Sequence, residues 1–176
     1  LAAYVYSADV EQKLRMPVLG VLPKVPGQLI GGKRRSIRYY SGHNESIFAE
    51  NVRTIRTSTL LTSIGEKKKL IVVTSSIQGE GKSTVSVNLA LSLGQMGKAL
   101  LIDADMRNPV VAGAFNLTRR NAIGLSNYIS GAHPLENCIH RFREDGIDVM
   151  PAGAVPTNPL ELLSSERFAR FIDKVK

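Results

Sequence analysis

The sequence predicts an α/β fold in three layers, with a mainly parallel sheet between two layers of helices. Apolar runs at 70–74 and 99–102 each end in a polar or glycine-rich turn. A helical pattern at 83–96 lies between them, with short connections on both sides. Because such a crossover helix returns the chain to the same end of the sheet, the two strands are expected to be parallel.

The turn after the first predicted strand has the features of a phosphate loop. Gly79 and Gly81 let the main chain turn tightly and approach an anion, and a helix follows directly. Lys82 supplies a positive charge for the β- and γ-phosphates, and the Ser83 hydroxyl is a ligand for Mg²⁺. Ser76 stands where the full pattern has glycine. The predicted nucleotide-binding residues are Gln78, Gly79, Glu80, Gly81, Lys82, Ser83 and Thr84.

A second acidic motif follows the run at 99–102. Asp103 and Asp105 come directly after this predicted strand, at the edge of a parallel sheet where ligands bind. We expect both carboxylates to face the phosphate loop, because one crossover helix connects the two strands. One carboxylate is then available to Mg²⁺ and its water shell, and the other to the proton of an attacking hydroxyl or water. The alternative is a solvated turn without a chemical role.

A helix is predicted at 45–63, with two stripes on its surface. The apolar stripe consists of Phe48, Val52, Ile55 and Thr59. The charged stripe, well away from the apolar one, consists of Glu50, Arg53 and Arg56. This helix is therefore expected to pack through one face and to present an acid and two guanidinium groups on another.

The other predicted elements are shorter. They are a helix at 7–16, a strand at 18–22, a mobile loop or linker at 23–44, helical pieces at 124–131 and 135–142, a third parallel strand at 147–151, and helices at 160–163 and from 166 to the end.

The 176-residue composition is that of one domain with a substantial core, and the single cysteine, Cys138, excludes an internal disulfide. The net charge is +8, and residues 31–70 hold nine basic and three acidic residues. Such a basic cluster suits anionic lipid, an acidic partner or a solvated surface. No zinc-ligand spacing or RNA-binding aromatic motif is present, so nucleic acid is not an expected partner.

Together these motifs resemble the bacterial tyrosine kinases (BY-kinases) of capsule and exopolysaccharide export. The phosphate loop at 78–84 and the stretch at 100–109 match two family motifs, and Asp103, Asp105 and Arg107 match the one called Walker A′. Residues 9–23 resemble the segment that follows the last membrane span in some members. Residues 50–56 resemble the Glu-x-x-Arg-x-x-Arg helix that joins subunits into a ring, and 151–153 with 158–163 are also typical.

The resemblance implies a MgATP-dependent kinase that phosphorylates tyrosines on copies of itself. It implies that Lys82 binds the transferring phosphate, that Ser83 and Asp105 serve Mg²⁺, and that Asp103 is the base for the tyrosine hydroxyl. Glu50, Arg53 and Arg56 are the implied interface residues. The third acidic motif and the tyrosine cluster of the family are absent and are expected beyond residue 176. We therefore expect a C-terminally truncated domain with weak or no kinase activity on its own.

The resemblance also implies the organisation and the setting. Residues 1–44 form a juxtamembrane segment and basic linker, and residues 45–176 form a P-loop kinase domain. The implied partners are a homo-oligomeric ring with the tyrosine-rich tails of neighbouring subunits, the polysaccharide polymerisation and export machinery, a tyrosine phosphatase, and the membrane through a preceding span. The implied location is the cytoplasmic face of the bacterial inner membrane.

Three other functions fit parts of the pattern. Partition or septum-positioning ATPases share the core but usually carry a lysine where Ile77 stands. A GTPase needs an Asn-Lys-x-Asp element, which is not present in these residues. A non-catalytic ring scaffold that binds nucleotide and regulates a polysaccharide exporter is the third alternative.

Overall fold

A computed structural model describes residues 7–25, 29–30, 33–34, 37–40, 46–62, 70–117 and 122–176. The elements are α1 (Ser7–Leu14), β1 (Leu29–Ile30), β2 (Lys33–Arg34), α2 (Ile47–Leu61), α3 (Lys82–Gly94), β3 (Ala99–Ile102), α4 (Val111–Ala114), α5 (Leu125–Ser130), α6 (Leu135–Cys138), β4 (His140–Phe142), β5 (Ile147–Met150), α7 (Pro159–Leu163) and α8 (Glu166–Val175). A single 3₁₀ turn, Arg143–Asp145, connects β4 to β5. No helix in these ranges is long and apolar enough to span a membrane.

The main sheet has three strands in the order β3-β5-β4. β3 and β5 are parallel, with Ala99 opposite Ile147 and Ile102 opposite Met150, which confirms the predicted parallel pairing. β4 runs antiparallel to β5 at the sheet edge. The described sheet is therefore mixed, with one parallel and one antiparallel pair.

The sheet lies between two helical layers, as predicted. Alternate residues of β3 point to opposite faces: Leu101 joins the cluster with α2 and α3, whereas Leu100 and Ile102 pack against the cluster with α5 and α8. Burial of both faces explains why β3 is continuously apolar. Val87 in the first cluster and Phe171 in the second are both fully buried.

The helix predicted at 45–63 is present as α2. Ser46 caps its N-terminus by accepting a hydrogen bond from the Ala49 N–H, with a donor–acceptor distance of 3.1 Å. Phe48 and Val52 are buried, as the apolar stripe predicts. Ile55 packs against the extended N-terminal segment at Gly20, where a Cβ would overlap the Ile55 side chain.

Two predicted strands are wrong. Residues 18–22 and 70–74 form no ladder with any described strand, and the second segment leaves Leu70 49% and Val72 78% exposed. A strand satisfies its N–H and C=O groups through a neighbour, so an apolar run alone does not make one. β3 pairs with β5 on one side and with no described strand on the other.

The helix predicted at 135–142 is correct only in its first half. It ends at Cys138, and residues 140–142 form β4. Phe142 packs against Phe115 with the rings tilted and their centroids 4.8 Å apart, and it is partly buried. Arg141, between Phe142 and His140, is exposed. This alternation is the period of a strand, and pairing with β5 outweighs the helical spacing of the apolar residues.

The predicted loop at 23–44 contains ordered structure in its described parts. β1 and β2 form a short antiparallel hairpin. Ile37, Arg38, Tyr39 and Tyr40 pack onto the domain, and Tyr40 is 1% exposed. The rest of the predicted loop, including 41–44, lies outside the described residues.

The packing at Gly124 gives a prediction about stability. A Cβ at Gly124 would overlap the Pro151 carbonyl oxygen, which also accepts the Leu125 N–H. Because these are main-chain atoms, we expect Gly124→Ala to lower the free energy of unfolding by more than about 2 kcal/mol. Urea denaturation measures the loss. Gly113→Ala is the matched control, since nothing lies within 4 Å of its Cβ position, and it should be neutral or slightly stabilising. Equal stability of the two variants would contradict this packing.

Cys138 gives a second prediction. Its side chain is fully buried, and desolvation, with a smaller effect of the Glu136 charge, raises the pKa of the thiol. We expect native protein at pH 8 to react with a thiol reagent at least ~10-fold more slowly than urea-unfolded protein, because the thiolate is the reactive form. Comparable rates would show that the thiol is accessible.

Candidate nucleotide-binding site

The phosphate loop has the main-chain conformation that its glycines predict. Gly79 and Gly81 have φ angles of +91° and +96°, in the region that L side chains rarely adopt. No atom lies within 4 Å of a Cβ position at either residue, so conformation rather than space requires glycine. Gly81 is also the N-cap of α3 and offers no side chain to the first turn. The first N–H groups of α3, from Lys82 onward, are therefore available to an anion.

The Glu80 side chain stabilises the loop through hydrogen bonds to its main chain. One oxygen of its carboxylate accepts hydrogen bonds from the N–H groups of Ser76 and Ile77, at 2.9 and 3.2 Å. The Ser75 hydroxyl donates to the Ile77 carbonyl at 2.9 Å. The sequence identifies Glu80 only as a member of the loop, and the structure adds that its side chain closes the turn.

An ion pair between Lys82 and Asp105 joins the phosphate loop to the second acidic motif. The distance between Lys82 Nζ and Asp105 Oδ2 is 2.9 Å, and the side chains are 31% and 26% exposed. The other Asp105 oxygen accepts the Asn108 N–H. Burial alone would raise the pKa of Asp105, but the hydrogen bond and charge of Lys82, with the main-chain donors, hold it below its usual value. Asp105 therefore stays ionised, next to the loop.

Asp103 lies in a different environment from Asp105. It is 6% exposed, and its two oxygens accept the N–H groups of Asp105 at 3.1 Å and Val111 at 3.2 Å. Desolvation raises the pKa of Asp103, against the lowering effect of these donors. Both carboxylates were expected to face the loop. The structure brings Asp105 to Lys82 and holds Asp103 within the turn at 103–111.

The oxygen donors at the loop suit Mg²⁺. Ser83 offers a hydroxyl and Asp105 an ionised carboxylate, and both are the hard ligands that Mg²⁺ prefers. In the described part of the chain, no three His, Cys, Asp or Glu side chains cluster as a metal site. Because Mg²⁺ usually keeps several waters and takes one or two protein ligands beside substrate phosphates, this small donor set fits.

Comparison with known proteins agrees with this geometry. A family model described as ParA, NUBPL iron-transfer P-loop NTPase, matches residues 66–157, more than half of the chain. The tyrosine-protein kinase YwqD of Bacillus subtilis is 42% identical over 123 residues, which are 69% of this chain and 51% of that protein.

Solved structures match nearly the whole chain. The chimerical protein CapA2B2 is 32% identical with a TM-score of 0.81, and the match covers 96% of this chain and 70% of that one. The chain belongs to the bacterial tyrosine-protein kinase family. The kinase domain of Escherichia coli tyrosine kinase ETK is 26% identical with a TM-score of 0.83, covering 97% of this chain and 69% of that one.

This bacterial tyrosine-kinase chain spans about half the length of YwqD. The ParA-type match includes the phosphate loop and both acidic residues. The fold expected from the motifs is therefore confirmed, whereas the roles of single residues remain predictions.

The three charged residues of α2 differ in their surroundings. Glu50 is exposed and Arg53 is half-buried. Arg56 was predicted to point away from the packed side of α2, but it donates hydrogen bonds to the Ser92 carbonyl at 3.0 Å and to the Ser92 hydroxyl at 3.1 Å. Because α2 packs on α3, the long side chain reaches the last turn of α3, where a cation stabilises the terminal carbonyl groups.

The Arg56 contact gives a third prediction. Arg56→Met keeps most of the apolar stem and removes both hydrogen bonds to fully buried Ser92. We expect a loss of about 1–2 kcal/mol in the free energy of unfolding. Arg170→Met is the control, because its pair with Glu166 is long, at 3.9 Å, and highly exposed, so its loss should have little effect. If Arg56→Met leaves thermal denaturation unchanged, the contact to α3 has no structural value.

Proposed function

We propose that this chain is the nucleotide-binding part of a MgATP-dependent protein-tyrosine autokinase that regulates capsular or exopolysaccharide polymerisation and export. The observation that carries the proposal is the Lys82–Asp105 ion pair, which joins a phosphate loop to a second acidic motif. Membership of the tyrosine-kinase family supports tyrosine as the acceptor.

Lys82 has the central role at the phosphates. In the structure its charge is balanced by Asp105. When ATP occupies the loop, Lys82 turns to the β- and γ-phosphates, while N–H groups of the loop and of the first turn of α3 bind the same oxygens. Phosphoryl transfer needs little covalent chemistry from the protein, so positioning and charge account for most of the catalysis.

Ser83 and Asp105 are the proposed ligands of Mg²⁺. When bound, the metal neutralises charge on the transferring phosphoryl group. Release of Asp105 from Lys82 on nucleotide binding would leave its carboxylate available for this ligand role.

Asp103 is the proposed base for the tyrosine hydroxyl. Its desolvated carboxyl group has a raised pKa. The proton affinity of Asp103 is therefore closer to that of an effective general base at neutral pH. Each oxygen accepts one main-chain N–H and keeps a second lone pair for the proton. The two acidic residues thus divide the work, one as base and the other as metal ligand.

The proposed assembly is a homo-oligomeric ring at the cytoplasmic face of the bacterial inner membrane. Glu50 and Arg53 are the best placed of the α2 residues to meet a neighbouring subunit, because Arg56 also contacts Ser92. Tyrosine-rich tails of neighbouring subunits would be the substrates, a tyrosine phosphatase would reverse the reaction, and a preceding membrane span would hold the ring beside the polysaccharide machinery.

Lys82→Met tests the nucleotide site. We expect at least ~30-fold weaker MgADP binding to the 176-residue chain by calorimetry, because a charged hydrogen bond to phosphate is lost. In the intact gene product, the same change should abolish phosphotyrosine on a protein blot. Lys98→Met, an exposed lysine just before β3, should change neither.

Two results would argue against the proposal. Unchanged MgADP affinity in Lys82→Met would remove Lys82 from the site. MgADP binding without tyrosine phosphorylation in the intact gene product would favour the non-catalytic ring scaffold.

A further inference from the structure

Asn88, on the buried side of α3, is the most fully bonded side chain described in the structure. It is 0% exposed, although most of the buried residues around it on this helix are apolar. Its Oδ1 accepts the N–H groups of Tyr39 and Tyr40, both at 2.7 Å. Its Nδ2 donates to the carbonyl oxygens of Ile37 at 2.8 Å and Thr84 at 2.7 Å.

These four bonds use every hydrogen-bonding position of an amide, with two donors and two acceptor sites. Three of the four partners belong to residues 37–40, which we call the strap, and the fourth belongs to α3. No other side chain of similar volume can replace all four, because aspartate lacks the donors and leucine lacks every polar atom. The strap therefore docks on α3 through one specific residue.

The strap is also attached through Arg38 and Tyr40, at places away from the phosphate loop. Arg38 Nη2 donates to both carboxylate oxygens of Asp145, at 2.6 and 2.7 Å, and its guanidinium lies 4.7 Å from the centroid of the Phe115 ring. The Tyr40 hydroxyl donates to Gln95 at 2.8 Å, just beyond the end of α3. The Arg38–Asp145 pair is 21% and 14% exposed, so it is only weakly screened by solvent.

Asn88 also connects the strap to the phosphate site. Thr84, whose carbonyl it bonds, follows Ser83 in the first turn of α3. If the strap undocks, Asn88 loses three partners in a dry environment, and its amide must turn toward water or stay unpaired. Turning the amide toward water disturbs the bond to Thr84 and loosens the turn whose N–H groups bind phosphate.

We propose that Asn88 is a positioning residue that couples docking of the strap to nucleotide binding at the phosphate loop. The nucleotide and the docked strap favour each other, because each orders the first turn of α3. This inference rests on the proposed nucleotide site and adds its regulation.

Coupling of this kind is reciprocal, which gives two independent measurements. In the wild-type chain, MgADP should slow amide hydrogen exchange at Tyr39 and Tyr40 by about fivefold or more. In Arg38→Met, which alters the strap without touching the loop, MgADP affinity should fall by about fivefold or more. Arg38→Lys keeps the charge and should recover part of that loss.

Asn88→Asp should have the larger effect, since it places one carboxylate oxygen, in the position of Nδ2, against the carbonyls of Ile37 and Thr84. The matched control is Asn127→Ala, because Asn127 also accepts two main-chain N–H groups, from Gly124 and Ala154, but lies in α5. It should lower stability and leave MgADP affinity within about twofold. The Arg38 variants keep the test valid if Asn88→Asp does not fold.

The possible outcomes separate the two proposals. Failure of the wild-type chain to bind MgADP overturns the nucleotide site and the coupling together. Normal binding with unchanged exchange at Tyr39 and Tyr40, or full affinity in Arg38→Met, overturns the coupling alone. Slower exchange together with weaker binding in Arg38→Met and recovery in Arg38→Lys supports it.

Discussion

The parallel ladder between β3 and β5 determines where the acidic turn begins. It extends one residue past β3, where the Asp103 N–H donates to the Met150 carbonyl at 2.9 Å. Because the strands are parallel, their carboxyl ends lie at the same end of the sheet. The polypeptide continues from each strand into a turn there. α3 packs against β3, so the start of this helix and the turn after the strand lie close enough for Lys82 to reach Asp105. The site is thus a consequence of strand pairing and helix packing.

The charges at the carboxyl ends of these strands are arranged around the Lys82 ammonium group. Lys82 is the group that balances Asp105, whereas Asp103 is kept from solvent and held by main-chain donors. The opposite pKa shifts of two carboxylates only two residues apart follow from this difference in exposure and partners. Such separation is typical of sites that need both a proton acceptor and a permanently ionised ligand.

The parts of the fold that local rules determine were predicted from the sequence. Gly79 and the sequence Gly81-Lys82-Ser83 identify the loop, and the spacing of Phe48 and Val52 identifies the packed face of α2. The secondary-structure predictions are wrong where pairing with a segment distant in the sequence determines the structure. Residues 70–74 lack a described neighbour, and residues 140–142 join a sheet edge. Asn88 gives only a faint signal, a lone buried amide on a largely apolar helix, because three of its four partners lie about fifty residues earlier.

The exposed run at 70–72 also bears on how the 176-residue chain behaves in solution. Leu70, Ile71 and Val72 are exposed, and β3 has one edge that no described strand covers. Apolar segments and open strand edges are the surfaces through which proteins associate nonspecifically. At a net charge of +8, mutual repulsion keeps copies apart in dilute buffer. Added salt screens that repulsion and leaves the apolar attraction, so the colloidal stability of the protein declines as ionic strength rises.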